Sequence, residues 1–216
     1  MNRREFSTAA VCLLGTAALG VPGFALAQKK PEDGVEYRTL GQSIAADAPA
    51  GKVEVVEFFW YSCPHCNVFE PRLEAWSRSM PADVALRRVP VAFRDDFEPQ
   101  QRLFYTLEAM NRLPDLHIKV FNAIHRERDP LNREASIFAW AEKQGLDKAK
   151  FQETYGSFSV KTKARRATQL QDAFKVEGVP ALGVAGRYYT DATLAGSMER
   201  ALQVTEYLIA EARKTR

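Results

Sequence analysis

The sequence predicts an α/β fold in which one sheet is interrupted by a long all-helical insertion. Three observations lead to this class: an apolar strand pattern that runs directly into a helix near residue 63, a purely helical pattern over residues 95–176, and a return to strand patterns after residue 177. Strands on both sides of one helical segment indicate a single sheet built from two parts of the chain. We therefore expect residues 28–94 and 177–216 to form one domain and residues 95–176 to be a helical domain inserted into it.

Residues 1–27 have the pattern of a cleavable export signal. Arg3 and Arg4 provide the positively charged start, residues 9–19 the apolar centre, and Ala27 the small residue after which we expect cleavage. Glycine and proline interrupt the apolar stretch, which makes an uncleaved membrane anchor the weaker alternative. The paired arginines are compatible with either general or twin-arginine export, so the sequence leaves the route open.

Net charge and cysteine content argue against nucleic-acid binding and are compatible with redox chemistry. A formal net charge of +3 is too small to indicate nucleic acid as a partner, and we interpret the basic residues at 161–166 as a solvated helix face. Outside the signal segment, which contains Cys12, the chain has only Cys63 and Cys66. An exported protein lies in a compartment where disulfides form and persist, so this cysteine pair is compatible with redox chemistry.

The sequence Cys63-Pro64-His65-Cys66 carries the strongest functional signal. An apolar, β-branched run at residues 53–61 predicts a buried strand before it, and Pro64 suits the first turn of a following helix. The free N–H groups at a helix N-terminus favour a thiolate at Cys63, and His65 can add a positive charge. Cys66 follows one turn along, close enough to close a disulfide with Cys63. The motif therefore predicts a redox-active pair.

Two alternatives give the cysteines other roles. Buried structural cysteines would not need a proline and a histidine between them, nor a helix N-terminus. A zinc site needs four ligands, and the only other histidines, His117 and His125, are spaced i, i+8 with no cysteine beside them. We interpret these two histidines as ordinary helix residues and expect no metal site.

The rest of the first part of the chain predicts two further strands and one helix. Residues 37–40 form a short edge strand, the helix after the cysteine motif continues to about Ser79 with a kink at Pro71, and residues 84–93 form a second strand. Pro90, near the end of that second strand, indicates either an edge strand or the exit from the strand, because proline cannot donate a hydrogen bond to a neighbouring strand.

The inserted segment predicts a series of helices, and the closing segment returns to strand. Apolar spacing and capping residues predict helices at residues 97–110, 114–128, 132–144 with Asn132 as N-cap, 147–156 with Asp147 as N-cap, and 159–176, ended by Gly178. A hairpin of residues 179–185 and 187–190 around Gly186 follows, and then an amphipathic helix over residues 196–214.

Pro180 stands at the head of a predicted buried strand, where its missing N–H needs an explanation. A cis Val179–Pro180 bond facing the active site would supply one, because cis proline is rare and usually serves a purpose. Local sequence by itself favours an ordinary trans proline at the start of a strand.

The order of these elements resembles a thioredoxin fold with an inserted helical domain. The residues Cys63–Cys66, Glu57–Phe59 and Gly178–Ala181 together resemble the DsbA family of disulfide oxidases, and the likeness extends over nearly the whole mature chain. No second cysteine pair is present, so the resemblance carries over one disulfide only.

The resemblance implies a role for each residue of the motif. Cys63 would be the exposed nucleophile, Cys66 the buried partner, and Pro180 a cis proline beside them. Glu57 matches a buried acid that moves protons to or from Cys66; the alternative is a glutamate exposed at the edge of its strand.

The resemblance also implies a function, the donation of the Cys63–Cys66 disulfide to unfolded exported proteins with free thiols. An apolar rim of Trp60, Tyr61, Pro64 and Val179 would bind extended peptide. The protein would be a monomer in the periplasm, without a bound cofactor, and a membrane quinone reductase of the DsbB kind would reoxidise it.

Two other functions remain open at this point. A reductase or isomerase of the same fold would use the same cysteines, although isomerases of this group carry an N-terminal dimerisation domain for which residues 28–50 are too few. A binding module would use the cysteine pair to hold a metal ion or one partner, and it would keep its binding when Cys63 is replaced by serine.

Overall fold

The computed structural model describes residues 29–215 and shows one mixed sheet. Its strands are β1 (Arg38–Thr39), β2 (Val53–Phe59), β3 (Val84–Pro90), β4 (Ala181–Val184) and β5 (Tyr188–Asp191), in the spatial order β1-β5-β4-β2-β3. The pair β2 and β3 is parallel, and every other neighbouring pair is antiparallel. The segment 1–27, with its predicted cleavage point, lies outside the described residues.

The helices follow the strands in the predicted order, except that a four-residue helix before the last one was not predicted. They are α1 (Pro64–Arg78), α2 (Glu98–Ala109), α3 (Leu113–His125), α4 (Glu134–Lys143), α5 (Lys148–Gly156), α6 (Phe158–Phe174), α7 (Ala192–Ala195) and α8 (Met198–Lys214), with a 3₁₀ turn at Asp95–Phe97 before α2. Among the described residues, no helix combines the length and the apolar character that crossing a bilayer requires.

Strand β2 is buried along its whole length because it lies between two strands and under helices on both faces. Val53 and Val55 share a core with α1 and α8, whereas Val56 and Phe58 pack into a second core with the inserted helices. The Phe58 ring meets the Phe174 ring of α6 at a centroid distance of 5.1 Å. A strand that is covered on both faces has a continuous apolar sequence, and this is the pattern that predicted β2.

The inserted helices therefore share a core with the sheet. From Pro31 onward the chain forms one compact unit. The division into a 95–176 domain and a two-part sheet domain stays a prediction, whereas the α/β class with a helical insertion is confirmed.

Several boundaries differ from the prediction for local reasons. Helix α4 begins at Glu134, with Arg133 rather than Asn132 in the capping position and no side-chain cap. Helix α6 ends at Phe174, four residues before Gly178, because Lys175 takes the left-handed conformation that ends a helix (φ 53°). Asp147 does cap α5, accepting a hydrogen bond from the Lys150 N–H at 2.7 Å.

The edge position of β3 and the tight turn of the closing hairpin are also observed. β3 is the last strand of the sheet, so Pro90 lies on an edge strand. Gly186 has a φ of 63°, and a Cβ added there would lie 1.9 Å from the Ile44 carbonyl oxygen. That turn requires glycine for two reasons, its backbone conformation and the close approach of another backbone segment.

We predict that Gly186→Ala destabilises the protein more than Gly34→Ala. Both residues have a positive φ, but nothing lies within 4 Å of a Cβ at Gly34. The control, Gly34→Ala, should lower the free energy of unfolding by about 1–2 kcal/mol because of the left-handed backbone alone. The clash at Gly186 should lower it by roughly a further 1–3 kcal/mol. Denaturant unfolding measures both; equal costs would contradict the clash.

Candidate active site

The cysteine motif lies where β2 ends and α1 begins, and its local geometry follows from that junction. Cys63 is the N-cap of α1 with an extended backbone (φ −78°, ψ 118°), and Pro64 takes the first turn, where no N–H is required. The Cys66 backbone N–H donates to Cys63 Sγ at 3.4 Å. The Cys63 sulfur thus does what an N-cap oxygen does in other helices: it accepts a hydrogen bond from a free N–H of the first turn.

The structure buries both cysteines, so the expectation that Cys63 is an exposed nucleophile needs correction: only a small part of that residue reaches solvent. Both cysteines are free thiols in this structure, but Cys63 is 7% exposed and Cys66 is 0% exposed. Pro64 and His65, between them, are exposed. An attacking group can therefore reach Cys63 before it can reach Cys66.

The loop before β4 brings Val179 and Pro180 to the same place. The Val179–Pro180 bond is cis, as the resemblance implied. Cys63 Sγ lies 3.4 Å from the Val179 carbonyl oxygen and can donate to it only while the sulfur is protonated. Residues more than a hundred positions apart in sequence thus meet at one sulfur.

An open groove of about 640 Å³ reaches Val179, the residue whose carbonyl oxygen contacts the Cys63 sulfur, although Cys63 itself does not line the groove. His65, Val68 and Phe69 of α1 line one part of it, and Val179 and Pro180 belong to its lining as well. Val68 is 67% exposed, an unusual degree for a valine beside an active site. The groove offers apolar contacts together with the Val179–Pro180 backbone.

The surroundings of the two thiols shift their pKa values in opposite directions. A hydrogen bond from the Cys66 thiol, together with the Cys66 and His65 N–H groups and the His65 charge, lowers the pKa of Cys63 to about 6 despite partial burial. Burial raises the pKa of Cys66 well above its ordinary value, and its hydrogen bond to Cys63 raises it further. These surroundings favour a thiolate at Cys63 and a thiol at Cys66.

Comparison with known proteins identifies this arrangement. Residues 54–203 match the model of the DSBA-like thioredoxin domain. The thiol:disulfide interchange protein DsbA of Bordetella pertussis is 44% identical over 209 residues, covering 96% of this chain and 99% of that protein. The chain belongs to the DsbA family. It is accordingly a thiol:disulfide oxidoreductase that acts in oxidative disulfide formation.

Solved DsbA structures have the same fold. The crystal structure of Pseudomonas aeruginosa DsbA matches with a TM-score of 0.79 at 40% identity, covering 84% of this chain and 94% of that one. DsbA of Xylella fastidiosa matches with a TM-score of 0.79 at 28% identity, covering 86% and 99%. The thioredoxin fold with a helical insertion is therefore the fold of this chain.

The predicted apolar rim needs one correction within this DsbA site. Tyr61 is fully buried and its ring packs against Phe59 and Phe121, so it cannot contact substrate. The reason is the end of β2: Tyr61 follows the strand on the side that the inserted helices cover. Trp60 is partly exposed and stacks on Phe97 at a centroid distance of 3.9 Å.

Glu57 is fully buried on β2, so the alternative of a glutamate exposed at a strand edge is wrong. Its Oε2 lies 3.3 Å from Arg88 Nε. Burial, aided by the nearby Glu70 carboxylate and opposed by Arg88, raises the pKa of Glu57 well above its ordinary value. After burial and Cys63, the Glu57 charge is a further, smaller cause that raises the pKa of Cys66.

Sequence reasoning missed Glu70 and His117. Glu70 lies four residues after Cys66 on α1, on the same face of the helix, and that spacing could have revealed it. His117 carries no comparable signal, because only the packing of α3 against β2 brings it to the site. Among the described residues, no three His, Cys, Asp or Glu side chains form a cluster that could hold a metal ion.

We predict that the reduced protein becomes more stable as the pH rises from about 6 to about 9, the folded and ordinary pKa values of Cys63. A depressed folded pKa stabilises the fold fully above the unfolded pKa, and this contribution is lost as the pH falls through the folded pKa. Denaturant unfolding of reduced wild type and Cys63→Ser at several pH values isolates the effect. Parallel pH curves for the two proteins would contradict it.

Proposed function

We propose that the protein donates a Cys63–Cys66 disulfide to unfolded exported proteins, with Cys63 as the sulfur that substrates attack. The observation that carries this proposal is the asymmetry of the pair: Cys63 is the more accessible sulfur and has the lower pKa, whereas Cys66 is buried and has a raised pKa. This asymmetry supports a fixed order of events.

The reaction then has two exchange steps. A substrate thiolate attacks Cys63 Sγ, forming a mixed disulfide while the Cys63–Cys66 bond breaks and Cys66 leaves with the electron pair and takes up a proton. A second substrate thiolate attacks the substrate sulfur of the mixed disulfide and releases Cys63 as a thiolate. The substrate is oxidised to a disulfide, and the carrier is reduced to a dithiol.

The direction of transfer follows from the stability of the released thiolate. Hydrogen bonds from the first turn of α1 favour the Cys63 thiolate, which exists only in the reduced carrier. Stabilising the reduced form makes the oxidised form a strong oxidant, an effect for which DsbA itself is the standard example. The protein is therefore suited to donating disulfides rather than reducing them.

Other residues support this role by holding the substrate and the leaving group. The groove along Val68, Val179 and Pro180 accommodates an extended segment of an unfolded chain. Trp60 and exposed Pro64 extend the apolar surface at Cys63. Glu57 is the buried acid that exchanges a proton with Cys66 as that sulfur leaves.

We place the protein in the periplasm, after removal of residues 1–27, on the basis of the signal pattern and the family. The reduced carrier must lose two electrons before the next cycle. A membrane quinone reductase of the DsbB kind is the partner that this family implies, and no bound cofactor is needed on the carrier itself.

We predict that Cys66→Ser, first converted with oxidised glutathione to a Cys63–glutathione mixed disulfide, exchanges glutathione for a thiol of a reduced, unfolded test protein and accumulates that adduct, with glutathione leaving as the thiolate, whereas Cys63→Ser treated in the same way forms none. With Cys66 removed the first adduct cannot revert through an intramolecular thiol, and with Cys63 removed the accessible sulfur is absent. Non-reducing gel electrophoresis with mass spectrometry detects the adducts. Equal labelling of both variants would contradict the assigned order.

The reduction potential separates the oxidase from the alternatives. Equilibration with glutathione buffers should give a potential well above that of thioredoxin, about −270 mV. A potential near thioredoxin's would indicate a reductase. Retention of partner binding by Cys63→Ser, with no oxidation of thiols by the wild type, would indicate a binding module.

A further inference from the structure

A buried group of polar side chains lies beside β2, and the mechanism above uses only Glu57 from it. Its other members are Glu70 of α1, Arg88 of β3, His117 of α3, and Tyr61 just after β2. Glu57, Glu70 and Tyr61 are at most 1% exposed and His117 is 7% exposed. Four elements of the fold thus place ionisable groups in one interior region.

The contacts within this group form a connected series. Arg88 Nη2 donates to Glu70 Oε1 at 2.5 Å, and Arg88 Nε lies 3.3 Å from Glu57 Oε2. On the other side of Glu70, His117 Nε2 lies 3.5 Å from the same Oε1, and His117 Nδ1 lies 2.8 Å from the Tyr61 hydroxyl. One guanidinium therefore serves two buried carboxyls, and one of these carboxyls also faces a histidine.

Charge balance requires that the two carboxyls differ. Two buried carboxylates beside one arginine leave an excess negative charge in a region of low dielectric, where it is costly. Arg88 is further shared with Glu74, which is 38% exposed, at 3.0 Å. One of the two buried carboxyls should therefore hold a proton, and the remaining contacts decide which one.

The contacts of His117 distinguish Glu70 from Glu57. An ionised Glu70 offers only acceptors, so a neutral imidazole that faces it must carry its proton on Nε2. Nδ1 is then the acceptor, and the Tyr61 hydroxyl donates to it. Tyr61 is available as a donor because burial raises its pKa well above the ordinary value. Neither oxygen of Glu57 has a hydrogen-bond partner, and His117 Nε2 has none either, so its 3.5 Å approach to Glu70 Oε1 is an electrostatic contact that Glu57 lacks.

We propose that His117 is a positioning residue that keeps Glu70 ionised and paired with Arg88, so that Glu57 is the carboxyl that carries the exchangeable proton for Cys66. The inserted helical segment thereby acts on the redox chemistry through one side chain. The assignment of the proton to Glu57 follows from the contacts; its use by Cys66 rests on the proposed function.

The directions of the pKa shifts agree with this arrangement. Burial alone would raise the pKa of Glu70, but His117 and Arg88 outweigh it and leave the pKa lowered. Burial lowers the pKa of His117, against the pull of Glu70, which keeps the imidazole neutral. The charged groups that act on His117 are Glu70 and Glu74 from α1 and Arg88 from β3.

The test is a direct titration of the two carboxyls. Carbon-13 NMR of glutamate-labelled, reduced protein gives each pKa, with Glu57→Gln and Glu70→Gln for assignment. In His117→Leu the pKa of Glu70 should rise and that of Glu57 should fall, each by about one unit or more, because Arg88 then pairs more evenly with both. Unchanged pKa values for both carboxyls in the folded variant would overturn the proposal.

Three further variants separate this role from simple packing. His117→Gln can place an amide N–H near the position of Nε2 and should keep most of the wild-type values, whereas His117→Asn is too short to reach Glu70 and should behave like His117→Leu. Tyr61→Phe should change the values little, since the Nε2 contact remains. If His117→Leu does not fold, the comparison of asparagine with glutamine decides; identical pKa values in those two variants would overturn the proposal.

The pH dependence of mixed-disulfide formation tests proton exchange between Glu57 and Cys66 separately from the role of His117. In the variants that shift the carboxyls, the pH at which Cys66 leaves most readily should shift with the pKa of Glu57. Shifted carboxyls with an unshifted pH profile would support the role of His117 and reject proton exchange between Glu57 and Cys66. Unshifted carboxyls would reject the role of His117 and leave the oxidase assignment as it stands.

Discussion

The hydrogen bond from the first turn of α1 to the Cys63 sulfur is the interaction from which the proposed mechanism starts. It exists because β2 ends where α1 begins, so that Cys63 is the capping residue and its sulfur faces N–H groups that have no partner inside the helix. The same bonds cannot form with equal strength when the sulfur is in a disulfide, since they favour a charged sulfur. The unpaired N–H groups at the start of α1 therefore stabilise the reduced carrier relative to the oxidised one.

The position of Cys63 at this junction is fixed because β2 is packed at the centre of the sheet. All of its residues are buried, with β3 and β4 on its edges and helices on both faces. The antiparallel pairing of β4 with β2 also fixes the residues just before β4, and so holds the Val179 carbonyl 3.4 Å from Cys63 Sγ. The sheet therefore positions both the Cys63 sulfur and the Val179–Pro180 backbone that lines the groove.

The inserted helices contribute more than a cover for the sheet. Their aromatic side chains bury Tyr61, and α3 adds His117 to the ionisable groups around Glu57 and Arg88. A buried carboxyl can serve a thiol only if its proton is neither lost to a nearby cation nor held too tightly. In the arrangement that we propose, the contacts of Glu70 with Arg88 and His117 leave Glu57 in that intermediate position.

The sequence by itself determined the fold class, the redox pair and the burial of β2, because these depend on local features: a continuous apolar run, a proline at a helix start, and two cysteines one turn apart. It also indicated Glu57 and Pro180 once the family resemblance was recognised. Only the tertiary structure decided that Tyr61 points inward and that His117 and Glu70 meet beside Arg88. Those outcomes depend on how α1 and α3 pack against β2 and β3, and contacts between elements distant in sequence leave no periodic pattern from which they can be read.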